Sequence, residues 1–111
     1  MGTPEFALPI MKALNYSSHD IAAVYTQAPK KSQRGQKINL SPVHQYSEKL
    51  NLNVRHPNDL NNEKEIQVFK RINPDVVIVV AYGKILPKKI LDLKNIVFLN
   101  IHASLLPKWR G

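Results

Sequence analysis

Asn100 and His102 stand two residues apart at the end of an apolar run, Ile96-Val97-Phe98-Leu99, and Ser104 follows two residues further on. Side chains of an extended strand alternate faces, so this spacing puts Asn100 and His102 on one side, with Ser104 joining them if the extension persists. Ile101 and Ala103 then face the other way. A neutral imidazole takes or gives a proton near neutral pH, its unperturbed pKa being ~6.5. An asparagine amide donates a hydrogen bond to a developing oxyanion. Together they supply two parts of an acyl-transfer site. The same N-x-H spacing is also met by a histidine satisfied by neighbouring backbone beside a turn-forming asparagine, and the spacing alone leaves both readings open.

Other chemistry-bearing residues say less. His19, His44 and His56 show no ligand spacing between them, and the chain has no cysteine, so the pattern of a zinc site is missing and a metal is not expected. Neither G-x-G-x-x-G nor G-x-x-x-x-G-K occurs. The basic stretch Lys30-Lys31-Ser32-Gln33-Arg34-Gly35-Gln36-Lys37 reads either as a solvated loop or as a loop that contacts phosphates. Trp109, between Lys108 and Arg110, reads either as a stacking or as a packing residue.

The elements that must position Asn100 and His102 follow from periodicity and caps. Thr3-Pro4 pairs an N-cap residue with a proline suited to the first helical position. A helix running through Pro9 would lose a backbone bond and cost roughly 3 kcal/mol, so a short turn followed by a helix from about Pro9 to Asn15 is expected. Ile21 to Thr26 has the length of a strand, and Gln27 to Leu40 is polar and basic without periodicity. Ser41-Pro42 repeats the cap-then-proline signal and opens a helix to about Leu50. Leu52 to Arg55 is a weak strand. Asn61 to Ile72 places Ile66, Phe69 and Ile72 at helical spacing, and Asn73-Pro74-Asp75 ends that helix. Asp75 to Tyr82 is a β-branched run of the type buried on both faces of a parallel sheet. Gly83 to Leu93 holds a turn and a short helix, and Ile96 to His102 is the last strand.

Strands alternating with helices predict an α/β fold, a Rossmann-like open parallel sheet with flanking helices. Ligands of such sheets bind beyond the carboxyl ends of the strands, where Asn100 and His102 fall. The glycine turn that follows a first strand in these folds is met here by Met1-Gly2 with no strand before it.

The 111 residues suffice for one small domain or for part of a larger one, and 43% apolar content is ordinary for a globular chain. Sixteen Lys and Arg against eight Asp and Glu give a formal charge of +8. That charge fits contact with a polyanion, and it fits equally a composition merely heavy in Lys, Asn and Ile. The absence of cysteine suits a reducing compartment. No signal peptide is recognisable and no run approaches the ~18 to 20 apolar residues of a membrane span, so a cytoplasmic setting without a membrane is expected.

The motif words, taken in order, narrow the reading further. Met1-Gly2-Thr3-Pro4-Glu5-Phe6-Ala7, Thr26-Gln27, Arg34-Gly35, Ser41-Pro42-Val43, Val79-Val80-Ala81-Tyr82-Gly83, Ile85-Leu86-Pro87 and Asn100-Ile101-His102-Ala103-Ser104-Leu105-Leu106-Pro107-Lys108-Trp109-Arg110-Gly111 resemble the methionyl-tRNA formyltransferase family over the whole chain. The closing motif is shared by the wider group of folate-dependent formyltransferases, some of which act on nucleotide or sugar amines. The opening words and the Trp-Arg-Gly ending resemble the tRNA enzymes.

The resemblance implies transfer of a formyl group from 10-formyltetrahydrofolate, the co-substrate, to the amino group of methionine on initiator tRNA, by a monomer. It implies that Asn100 and His102 are catalytic. Ser104, Leu105, Leu106 and Pro107 match the stretch that contacts folate, and Arg34 matches an arginine that touches the tRNA acceptor end. Between Gln27 and Arg34 the chain departs from the family's Pro-Asp-Lys-Pro-Ala-Gly pattern, having Ala28-Pro29-Lys30-Lys31-Ser32-Gln33. The missing glycine before Arg34 limits positive φ there.

The resemblance also implies three parts that this sequence does not contain. These are a strand before the Gly-Thr-Pro turn, a catalytic Asp beyond Gly111, and a C-terminal β-barrel domain that binds tRNA. Residues 1–111 are therefore expected to be a partial N-terminal formyltransferase domain with little or no transfer activity in isolation, or a remnant that binds folate or RNA without turnover.

Overall fold

The computed structural model describes residues 1–31 and 38–102. A single 3-10 turn, Glu5–Ala7, leads into α1 (Leu8–Tyr16), which is followed by β1 (Val24–Tyr25), β2 (Lys30–Lys31), β3 (Ile38–Asn39) and α2 (Pro42–Lys49). Then come β4 (Val54–Arg55), α3 (Glu63–Ile72), β5 (Val76–Val79), α4 (Lys88–Leu91) and β6 (Val97–Asn100).

The helices begin where local chemistry starts them. Pro9 lies in the first turn of α1, where no intrahelical bond is asked of its nitrogen. Ser41 Oγ accepts from His44 N–H at 3.0 Å and Pro42 opens α2. Asn62 Oδ1 accepts from Lys64 and Glu65 N–H groups, and α3 stops at Asn73, left-handed at φ 50°. Thr3 is a correction. Pro4 holds the cap position without a side-chain bond, because the Thr3 hydroxyl is drawn to the Tyr82 carbonyl oxygen, 2.8 Å away.

The strands pair as an open α/β sheet. β1 runs parallel to β4, with Val24 opposite Val54. β5 runs parallel to β6, with Val76 opposite Val97 and Val79 opposite Asn100. Between the two pairs sits Met1-Gly2. Gly2 N–H donates to Tyr25 O at 2.9 Å, Val80 N–H donates to Met1 O at 2.8 Å, and the Met1 amine donates to Ile78 O at 2.7 Å. Gly2 forms a parallel bridge with Val80, which gives the lateral order β4, β1, Met1-Gly2, β5, β6. A Cβ on Gly2 would lie 2.9 Å from Val80 O, so this close passage between strands requires glycine. Below Met1 the two pairs part around a cavity of about 700 Å³ lined by Ile21, Val24, Phe69, Val76 and Ile78 among others.

Alternation along the strands divides the core between the faces. Tyr25 and Val77 pack with Leu60, Ile66, Phe69, Tyr82 and Ile90, under α3 and α4. Val24 and Val80 pack with Ala7, Met11 and Val43, under α1 and α2. Burial on both faces agrees with the β-branched composition of the run from Asp75.

Several boundaries differ from the sequence pattern, among them the last strand, which is Val97–Asn100 rather than Ile96 to His102 because its partner β5 ends at Val79. The strand expected over Ile21 to Thr26 is limited to Val24–Tyr25 by the length of its partner β4. Ladder pairing in β5 stops at Val79 because Ala81 turns left-handed at φ 48°. The stretch from Gln27 to Leu40, which lacks periodicity, holds the antiparallel pair β2 and β3, with Lys30 opposite Asn39 and Lys31 opposite Ile38. Those strands are exposed on both sides, so no alternation is imposed on them.

Candidate functional site

Asn100 is the last residue of β6, an exposed strand, and His102 follows two residues later. The ladder to β5 continues one step past Asn100, since Ile101 N–H donates to Val79 O at 2.8 Å. This bond keeps the backbone extended as far as Ile101. Asn100 and His102 therefore reach the same cavity, about 280 Å³, at the carboxyl ends of β5 and β6. Val79, Phe6 and the turn Ala81–Lys84 complete its wall, and Ile101 contributes as well.

The turn is built tightly. Ala81 and Gly83 both have positive φ, 48° and 83°, and between them Tyr82 drops its ring into the core at 1% exposure. Burial pushes the Tyr82 hydroxyl up to about 12, so it stays protonated at neutral pH and cannot serve as a base there. Tyr25 is raised by burial, an effect opposed by Arg55. Arg55 is itself held cationic by its bond to Glu65, 3.0 Å away. Tyr25, Arg55 and Glu65 lie outside the cavity.

The arrangement offers one amide and one imidazole, both exposed, beside apolar surface from Phe6, Val79 and Ile101. An amide that donates to an oxyanion and an imidazole that moves a proton can carry out acyl transfer between bound partners. The mixed lining suits a ligand with a ring and polar edges.

Of the other predicted site residues, Ser104, Leu105, Leu106, Pro107 and Arg34 lie outside the described residues, as do Trp109 and Arg110. His19 is exposed beyond the end of α1. His44 is buried in α2, with its ring 5.5 Å from that of His56 and its Nε2 3.5 Å from Glu48. Among the described residues no three His, Cys, Asp or Glu side chains gather as metal ligands. Phe6 and the turn Ala81–Lys84 did not stand out in the sequence as cavity residues. The available signal was Gly83, placed where the longest β-branched run ends.

Comparison with known proteins gives a consistent result. A family model described as formyl transferase matches residues 1–111. A methionyl-tRNA formyltransferase of Pelagibacter ubique (strain HTCC1062) is 56% identical over 112 aligned residues, which take in 100% of this chain and 36% of the relative. Those of Chelativorans sp. (strain BNC1) and Granulibacter bethesdensis (strain ATCC BAA-1260 / CGDNIH1) are each 49% identical, with the same coverage. The chain thus spans a little over a third of the length of these curated relatives.

Proposed function

Since the chain belongs to the formyl transferase family, we propose that the cavity holding Asn100 and His102 is the transfer site of an enzyme that formylates methionyl initiator tRNA. The formyl group comes from 10-formyltetrahydrofolate, which supplies an acyl carbon on a nitrogen leaving group. Asn100 donates its amide N–H to the formyl oxygen as that atom becomes anionic. His102 takes a proton from the attacking methionyl amine and returns one to the departing nitrogen, so that a new C–N bond forms as the old one breaks. Ser104, Leu105, Leu106 and Pro107 hold the folate side of the co-substrate, and Arg34 meets the tRNA acceptor end. The +8 charge and the exposed Lys30 and Lys31 favour a polyanionic partner. No helix of the described residues is long and apolar enough to cross a membrane.

The observation that carries this reading is the convergence of Asn100 and His102 on one cavity at the strand ends. The test is to place residues 1–111 in the Pelagibacter ubique relative, replacing its matching 36%, and to assay formylation of methionyl initiator tRNA. Activity is expected, with His102→Ala lowering kcat by about 10²- to 10⁴-fold while KM for 10-formyltetrahydrofolate moves far less. An equal loss in both parameters would make His102 a structural residue.

A further inference from the structure

Three motif words that are distant in the chain, Gly2-Thr3-Pro4, Thr26-Gln27 and Ala81-Tyr82-Gly83, meet at one atom, the carbonyl oxygen of Tyr82. It accepts from the Thr3 hydroxyl at 2.8 Å and from Gln27 Nε2 at 3.3 Å. Gln27 N–H donates in turn to Thr3 Oγ1 at 3.4 Å, so the three residues close a ring of hydrogen bonds. The backbone on either side of this carbonyl is left-handed. For Ala81 that conformation costs of order 1 kcal/mol, and it persists only when its surroundings hold it. A Cβ on Gly83 would fall 1.8 Å from Gln27 Nε2; the glutamine amide occupies the space that glycine leaves open. The same turn walls the cavity of Asn100 and His102.

We infer that Thr3 and Gln27 are positioning residues, which grip the Tyr82 carbonyl and so set the turn Ala81–Lys84 against the transfer cavity. Neither side chain lines that cavity, and they act on the co-substrate through the turn. This assignment rests on the proposed reading of the cavity as the site that binds the folate.

Residues 1–111, carried in the Pelagibacter ubique relative in place of its matching 36%, are tested free and in titration with tetrahydrofolate, followed by NMR. Thr3→Val keeps the shape of the side chain and removes its hydroxyl. The amide signals of Gly83 and Lys84 and the ring signals of His102 are expected to move in the ligand-free variant while the amide signals of Lys64 and Lys70, on the exposed side of α3, hold still. Affinity for tetrahydrofolate is expected to fall about tenfold, the effect of one lost hydrogen bond. Thr3→Ser, which keeps the hydroxyl, is expected to restore both readings. Should Thr3→Val fail to fold, Gln27→Met removes the second donor and carries the same expectations. Unmoved Gly83 and His102 signals, unchanged affinity, or a loss that Thr3→Ser does not rescue overturns the positioning role. A chimaera with unaltered residues 1–111 that binds no tetrahydrofolate overturns the reading of the cavity instead, and the ligand-free shifts then still decide whether Thr3 and Gln27 hold the turn.

Discussion

Tyr82 is provided for unequally at its two ends. Its carbonyl oxygen has two donors, whereas its buried hydroxyl has no partner among the described residues. An unpartnered buried hydroxyl lowers stability, and burial also holds its proton up to about 12. The unfolded chain releases that proton near 10, so unfolding releases protons and stability falls as pH rises from 10 toward 12. Tyr82→Phe removes both effects. Its unfolding free energy from urea denaturation is expected to be unchanged or higher at pH 7, by up to about 1 kcal/mol, and to decline less steeply above pH 10. A variant that is clearly less stable at pH 7 would show that the hydroxyl has a partner after all. Alternation along a strand singled out Asn100 and His102 in the sequence but set Ile101 on the opposite side, whereas all three line one cavity, because the strand ends at Asn100. The sequence was silent about the Tyr82 carbonyl, whose donors stand 55 and 79 positions away.

At the scale of elements, Ser41 does two jobs at the start of α2. Its oxygen accepts from His44 N–H and lies 2.7 Å from the hydroxyl of Thr26, which is fully buried. Ser41→Ala therefore removes a cap and strands a buried hydroxyl. Urea denaturation is expected to show a loss of about 1 to 3 kcal/mol, and a loss under about 0.5 kcal/mol, the low end for a cap alone, would mean that Thr26 finds another partner. Helices of this chain were legible because caps and apolar spacing lie within a few residues of one another, as with Ser41 for α2 and Ile66, Phe69 and Ile72 for α3; the Asn62 cap of α3 came only from the structure. Thr3-Pro4 shows the limit of that logic. It has the same local pattern as Ser41-Pro42, yet its hydroxyl serves a carbonyl in another part of the sheet. Strand ends were less legible, since β1 stops where β4 stops.

For the whole molecule, the decisive contact is the seat of Met1 between the two strand pairs. Gly2→Ala would press a Cβ to 2.9 Å from the Val80 carbonyl oxygen, and urea denaturation is expected to show a loss of about 1 to 3 kcal/mol. An unchanged midpoint would mean that the strands part at this point without cost. Local spacing was enough to read the alternation of strands and helices, the cap of α2 and the apolar stripe of α3 from the sequence. Each of these depends on residues a few positions apart. The lateral order of the sheet, the passage of Met1-Gly2 between β1 and β5, and the grip of Thr3 and Gln27 on the turn beside the cavity emerged only in the folded chain. Those depend on hydrogen bonds between residues 22 to 79 positions apart, and a backbone donor carries no local mark of which distant acceptor it will meet.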